Sequence, residues 1–519
     1  MKVLGRVLES LSPRIVKVVA PEPIPLGEYL TLTYQVSGRE AKAIAIVANA
    51  QSRHAVLPSP IRYMEPEEGR EVKPLVLSEM QLYVMAEKIG NGKLMAPRYP
   101  IPPETPVRRS TKEELEELYG QKKEKKEGHV KLGTLAIGEE SSIEIWVDAN
   151  KLTKHLFIAG ATGSGKSNTV AILIDRLASK KVPVVVFDVH GEYSMDLKEG
   201  GKLEVIEAVI NPMHFVGRER VLAGIIIPEA KAMRQRRLLV KAIRKLHEEL
   251  KEREKNTPLK EALLELAGEK QAKEDADDAE LYAELYAKAL IKMVRTIGMN
   301  DRSYGSKIVG PTEDKVEEFF EVAPVSLTAP HVLADRARGT VLVVNAFGLS
   351  DEEKRWMLKF IVDKLLLQLK KEKGSNSCVL VVEEAPLFLG DKLHHPVKDS
   401  LQRFAREGRK FGGSLVVVSQ RPRSLDVNVV SQLQNFIFLK VVQEEDVRTI
   451  MNIADSLEES LAAMIKSFEE GRALVLGEFL GKFPAVVKID QHKGKRLGAT
   501  PDLIKPELEV QKERRGFEA

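Results

Sequence analysis

Apolar and polar positions alternate in short segments through residues 1–108, as in Tyr29-Leu30-Thr31-Leu32-Thr33-Tyr34 and Ala43-Ile44-Ala45-Ile46-Val47, with Pro and Gly turns between them. Period-two alternation predicts β-strands with one face turned to a core. The stretch Pro21-Glu22-Pro23-Ile24-Pro25 forbids helix, because proline has no amide proton to donate and its ring clashes with the preceding turn. Strands this short close into a barrel or sandwich, so a small β domain of one of these kinds is expected over 1–108.

From residue 130 the pattern changes. The apolar run Leu156-Phe157-Ile158-Ala159 enters a glycine loop, residues 168–179 read as helix, and 181–188 (KVPVVVFD) form a second buried strand. Further strands are predicted at 340–345, 378–382, 414–419, 436–440 and 473–476. Apolar strands alternating with helices predict an α/β core built on a parallel sheet. An amphipathic helix lies between Gly339 and Cys378, with Leu358, Ile361, Val362, Leu365, Leu366 and Leu369 at helical spacing.

Residues 229–325 interrupt this order. Residues 229–255 are helical and basic, 272–279 (AKEDADDA) are polar and loop-like, and 280–297 are helical again, which predicts a helical subdomain inserted into the core. The core is thereby divided into 130–228 and 326–490. Residues 109–129 are a charged linker or exposed loop in which 111–119 can form a short acidic helix. Within it, 121–128 (QKKEKKEG) read as solvated charge, with a DNA-contacting strip the alternative. The tail, 491–519, is charged and has little core of its own; it braces a neighbouring surface or stays disordered.

Composition narrows the classes. With 43% hydrophobic and 30% charged residues the chain is not mainly disordered, and with 5% aromatics its cores must be aliphatic. Eighty Lys and Arg against 76 Asp and Glu leave +4, so any nucleic-acid contact has to be local. The single cysteine, Cys378, excludes an internal disulfide framework and a cysteine-built zinc site, and fits a reducing cytoplasm. The first residues lack the apolar stretch of a signal peptide, and no apolar run approaches the ~18 residues of a spanning helix, so no membrane partner is expected.

One motif carries chemistry by itself. Gly160-Ala161-Thr162-Gly163-Ser164-Gly165-Lys166-Ser167 has the G-x-x-x-x-G-K-[ST] spacing, with a strand before it and a helix after. The glycines let backbone amides wrap phosphates, and the helix N-terminus adds partial positive charge. Lys166 can reach the β- and γ-phosphates of ATP, and the Ser167 hydroxyl can ligate Mg2+. The acidic partner follows an apolar strand at Glu383-Glu384: Glu383 stands where P-loop enzymes hold Mg2+, often through water, and Glu384 where a carboxylate polarises the attacking water. Asp188, in Asp188-Val189-His190-Gly191-Glu192-Tyr193, leaves the carboxyl end of a strand; it or Glu192 could position water or metal, and a capped polar turn is the alternative. Gln420 ends another strand, where a polar side chain touches the γ-phosphate or merely closes a turn. Arg406 and Arg409 fall away from the buried face Leu401, Phe404 and Ala405; they are solvated or complete another subunit's phosphate site.

Taken together, residues 156–168, 187–193, 382–384, 405–412 (AREGRKFG) and 418–422 (VSQRP) resemble the HerA family within the HerA/FtsK group of P-loop motor ATPases, and the resemblance covers nearly the whole chain. It implies a barrel like that at the N-terminus of ATP-synthase subunits, followed by a RecA-like motor. It further implies a homohexameric ring that translocates double-stranded DNA, with a nuclease partner, NurA, for DNA end resection in recombinational repair, mainly in archaea. By the same resemblance Lys166 and Ser167 bind phosphate and Mg2+, with Asn168 beside them, and Glu384 is the catalytic glutamate. Arg409 resembles the trans-acting arginine with Arg406 second, and Lys154 stands where the family carries a basic residue facing nucleotide. Two departures stand out: Val189 replaces a common Pro, and Glu383 replaces a common Asp. DNA-channel candidates are Lys198 and Lys202 in 195–202, Lys392 and Lys398 in 390–398, and the basic helix carrying Lys231, Arg234, Arg236, Arg237, Lys241, Arg244 and Lys245, for each of which ordinary solvated charge is the alternative. A ring acting on protein and a nucleotide-gated nuclease scaffold are the other function classes compatible with these motifs.

Overall fold

The structure is a computed structural model, and it describes residues 2–54, 76–119, 127–136, 143–229, 231–253, 255, 257–269, 278–323, 325, 340–372, 377–454 and 457–494. Most of 121–128, most of 272–279 and the tail from 495 lie outside the described residues. Two compact units divide the chain, one made of Met1–Leu177 with Ser414–His492, the other of Ala178–Gly413 with Lys493–Ala519.

In the first unit six antiparallel strands close into a barrel, in the order Gly5–Ser10, Ile15–Ala20, Val76–Ile89, Arg39–His54, Tyr29–Val36, Pro106–Arg109. Alternation does the work: Val16 and Val18, Leu30 and Leu32, Ala43 and Ala45, Leu82 and Val84 all point into one buried core. Closure leaves no edge strand open to foreign pairing. The helix Lys112–Leu118 follows, with a capping box between Thr111 and Glu114. Glu114 also holds Arg108 at 2.6 Å and accepts from Thr31 Oγ1 at 2.8 Å, and Tyr119 donates to the Pro484 carbonyl at 3.0 Å. The first part of the charged 109–129 segment is thus fastened to the barrel side and to the loop before the last strand.

The same unit carries strands ordered Gly413–Ser419, Leu156–Ala159, Asn435–Phe438, Arg472–Gly477, Ala485–Ile489, His129–Leu135, Glu144–Asp148. Leu156–Ala159 pairs in parallel with both of its neighbours. The remaining pairs are antiparallel, which corrects the expectation of a wholly parallel sheet. The reason is connection length: only residues 478–484 separate Arg472–Gly477 from Ala485–Ile489, too few for a helical crossover, so the chain turns back as a hairpin.

In the second unit the strands Lys202–Glu207, Thr340–Asn345, Val184–Asp188 and Cys378–Val382 are parallel, in that order. Lys202 begins an edge strand opposite Thr340, rather than lying in the loop that the sequence pattern assigned it. Among the described residues, Glu219–Ile226 precedes the stretch 229–325, which holds the helices Met233–Arg253, Leu259–Ala267, Asp278–Asn300 and Ser306–Val322. In Met233–Arg253 a face of Leu238, Leu239, Ala242, Ile243, Leu246 and Leu250 is buried. Its basic face is solvated, with Lys241 3.0 Å from Asp301. The long helix Asp351–Lys371 is buried on most sides and even hides Lys364, whose ammonium donates to the His214 carbonyl at 3.0 Å above the Phe215 ring.

Candidate nucleotide site

In the first unit, a fully buried strand delivers the chain to Gly160 and the helix Lys166–Ser179 starts six residues later. The intervening loop is one that only glycines permit. Gly163 and Gly165 have φ of +73° and +99°, and a Cβ on Gly160 would lie 2.5 Å from Ser164 Oγ and 2.9 Å from Leu439 Cβ. Lys166 turns back over the loop and its Nζ donates to the Ala161 carbonyl at 2.9 Å. Ser164 Oγ is buried and, among the described residues, has no hydrogen-bond partner. A buried hydroxyl without a partner, amides converging at a helix N-terminus and a lysine bent across them fit a phosphate chain.

Thr162 Oγ1 donates to Gln420 Oε1 at 2.7 Å, so the loop tip is tied to the end of the adjacent strand. Two expected nucleotide neighbours have other work. Asn168 donates to the Asp490 carbonyl at 2.8 Å and accepts from the His492 amide at 2.9 Å, pinning the chain after the last strand to the P-loop helix. Lys154 is ion-paired with Glu478. Ser167 lies in the first turn of the helix, half-buried.

The acidic residues belong to the second unit. Phe187 pairs with Val382 in parallel register, which sets Asp188 beside Glu383 one step beyond. Both oxygens of Asp188 are engaged: Oδ1 accepts from the amides of His190, Gly191 and Glu192 at 3.2, 2.8 and 3.2 Å, and Oδ2 from Tyr193 at 2.9 Å. The capped turn is therefore what the geometry supplies at this position, and Asp188 positions the loop. Glu383 is 6% exposed and accepts a hydrogen bond from the Tyr193 hydroxyl. Burial pushes its pKa up to about 7; the Tyr193 hydrogen bond opposes this, and Glu192 and Asp188 add to it. Glu384 stands out from it with φ of +44°, in the left-handed region that costs a non-glycine residue roughly 1–3 kcal/mol. Its Oε1 lies 3.5 Å from His190 Nε2, and the hydrogen bond to Glu384 raises the imidazole pKa. Tyr193 and His190 carried no signal of these roles in the sequence; only the register between two strands far apart in the chain brings them to Glu383 and Glu384. Among the described residues no group of three His, Cys, Asp or Glu side chains is placed to ligate a metal.

Arg406 ends the helix Pro396–Glu407 and Arg409 lies on the 3-10 turn Gly408–Phe411, both exposed. A Cβ on Gly408 would lie 3.6 Å from the Phe404 ring. Lys198 is exposed and 3.5 Å from Asp196, and Lys392 is exposed. Lys398 staples its turn by donating to the carbonyls of Gly390 and Asp391 at 3.2 and 3.1 Å.

Residues 130–321 match the family described as helicase HerA, central domain. The DNA double-strand break repair helicase HerA of Saccharolobus solfataricus is 30% identical over 515 residues, spanning 97% of this chain and 95% of that protein. The protein of the same name from Sulfurisphaera tokodaii is 30% identical over 519 residues, spanning 97% and 96%. Among solved structures, VirB4 of Thermoanaerobacter pseudethanolicus aligns at 17% identity over 70% of this chain and 97% of that one, with a TM-score of 0.45. With a P-loop of the required geometry and relatives that match along almost its entire length, the chain belongs to the HerA family and is a P-loop ATP hydrolase of helicase type.

Proposed function

We propose that this protein is an ATP-driven motor that moves double-stranded DNA, working as a homohexameric ring with a nuclease of the NurA kind in DNA end resection for double-strand break repair. The observation that carries the reading is its similarity, over 97% of its length, to proteins named as DNA double-strand break repair helicases. Among the described residues no helix is long and apolar enough to cross a membrane.

The loop Gly160–Ser167 takes the phosphates of ATP on its amides, and Lys166 exchanges its contact with Ala161 for the β- and γ-phosphates. Bound Mg2+ supplies charge neutralisation at the phosphates, held by Ser167 with Glu383 behind water. Glu384, the half-buried member of the acidic pair, orients the attacking water. Gln420 reports the state of the loop through Thr162 to the turn at Arg421. Arg409 reaches a neighbouring subunit's nucleotide, so each site would need two subunits. Lys198 and Lys392 offer exposed charge for DNA phosphates, and six copies multiply a small charge per chain. Such contacts are insensitive to sequence and sensitive to salt.

Steady-state ATP hydrolysis with and without blunt duplex DNA, across a salt series, tests this. Several-fold stimulation that fades as salt rises is expected. Turnover indifferent to DNA at low salt would overturn it and favour a motor acting on protein.

A further inference from the structure

A cleft of about 550 Å³ opens in the second unit among the helices Glu219–Ile226, Met233–Arg253, Asp351–Lys371 and Pro396–Glu407. Its lining is rich in cations, with Arg220, Arg236, Lys359, Lys370, Arg403 and Arg406. Two carboxylates, Asp363 and Asp399, also line it. Asp363 is already committed, 2.9 Å from Lys359 Nζ and 2.5 Å from Arg403. The Lys359 side chain is 6% exposed. Burial pushes its ammonium pKa down, Asp363 opposes this, and the charges of Arg403 and Arg236 add to the depression, so all three cations act on one another. Among the described residues neither Arg220 nor Arg406 makes an ion pair.

Arg220, Arg403 and Arg406 are exposed and Lys359 is buried; cations gathered round a buried ammonium repel one another, a cost that a bound anion offsets. Guanidinium forks match phosphate oxygens in a way that single ammonium groups do not. The same lining carries Val221, Pro228, Leu366, Leu367 and Pro396, so it is apolar as well as charged. A lining of both kinds suits a ligand that joins an anionic group to an apolar one. An acidic peptide, with its charge spread along its length, fits less well. The volume lies within the roughly 300–1,000 Å³ of small-molecule sites.

We propose that this cleft is a second nucleotide site, separate from the P-loop, which takes a nucleoside monophosphate, free or as the terminal nucleotide of a DNA strand. The phosphate sits on Arg220, Arg403 and Arg406, and the base lies against Leu366, Leu367 and the two prolines.

The test uses the full chain carrying Lys166→Ala, which removes the P-loop as a competing site. Fluorescent mant-dAMP is titrated and its anisotropy read. One saturable site per chain is expected. Arg220→Glu, on an exposed helix position, should weaken binding by tenfold or more. Gly224→Leu should weaken it similarly without altering charge: a Cβ there meets nothing within 4 Å, and leucine is the better helix former, so the fold is kept. Displacement of the probe by a 5′-phosphorylated oligodeoxynucleotide at lower concentration than by dAMP assigns the site to strand ends. Displacement by dAMP alone assigns it to the free nucleotide. Absence of saturable binding, or binding unchanged by both substitutions, overturns the proposal. So does displacement by inorganic pyrophosphate as effective as by dAMP together with an indifferent Gly224→Leu, because the cleft would then hold charge and no base.

Discussion

Thr162 donates its hydroxyl proton to Gln420 Oε1 at 2.7 Å, and this contact joins the tip of the phosphate loop to the end of the neighbouring strand. On the proposed function a γ-phosphate arrives beside this bond, and filling the loop would break or re-aim it. Gln420→Ala should leave ATP affinity within a few-fold of the parent and lower kcat by about tenfold, since the loop would still bind phosphate but lose its link to the Arg421 turn. Equilibrium binding and steady-state kinetics separate the two. A large loss of affinity with unchanged kcat would make Gln420 a simple binding residue.

Glu384 holds its carboxylate outward at the expense of a left-handed backbone. Glu384→Gly should therefore raise the melting temperature of the chain, relieving about 1 kcal/mol of strain, while ATP turnover falls by a hundredfold or more. Glu384→Gln should lose the same turnover with no gain in stability. If the glycine variant melted lower than the glutamine variant, the strain reading would be wrong.

Arg409 projects from the 3-10 turn after Pro396–Glu407 into solvent. If it serves a neighbour, mixing Arg409→Ala subunits with Glu384→Gln subunits should restore part of the hydrolysis that each variant lacks alone, because some interfaces then combine an intact arginine with an intact glutamate. Mixed rings verified by mass that stay inactive would assign Arg409 to its own subunit.

The helical insertion should weaken in acid. His247 lies buried between helices with its Nε2 2.8 Å from the Tyr286 hydroxyl, and burial lowers its pKa from 6.5 to about 4. As pH falls the unfolded chain takes up the proton first, so the contribution of neutral His247 is complete above about 6.5 and is lost between there and about 4. The full loss is on the order of 3 kcal/mol for the insertion. Hydrogen exchange of Met233–Arg253 at pH 7 and pH 5 measures it, and His247→Leu should flatten the dependence. Equal protection at both pH values would remove His247 as the cause.

Local chemistry was legible along the chain. The phosphate loop is readable because wrapping phosphates takes consecutive residues, and the barrel strands because one buried face imposes a period of two. The basic face of Met233–Arg253 announced itself by helical spacing, and the structure leaves it solvated. What the sequence could not determine are contacts set by register and by packing between distant segments. Asp188 spends its oxygens on four amides of its own loop, and Tyr193 reaches Glu383 across 190 residues because Phe187 and Val382 are paired in the sheet. The hairpin turns of Arg472–Gly477 and Ala485–Ile489 set an antiparallel edge on a sheet whose apolar strands all looked parallel. The basic cleft is assembled from residues 220, 236, 359, 370, 403 and 406; of these only Arg236 lies on the helix whose charge stands out in the sequence, and packing brings the other five to it. Covalent neighbours share their chemistry along the chain, so a motif states itself; residues far apart acquire a shared site only when the fold closes the distance between them.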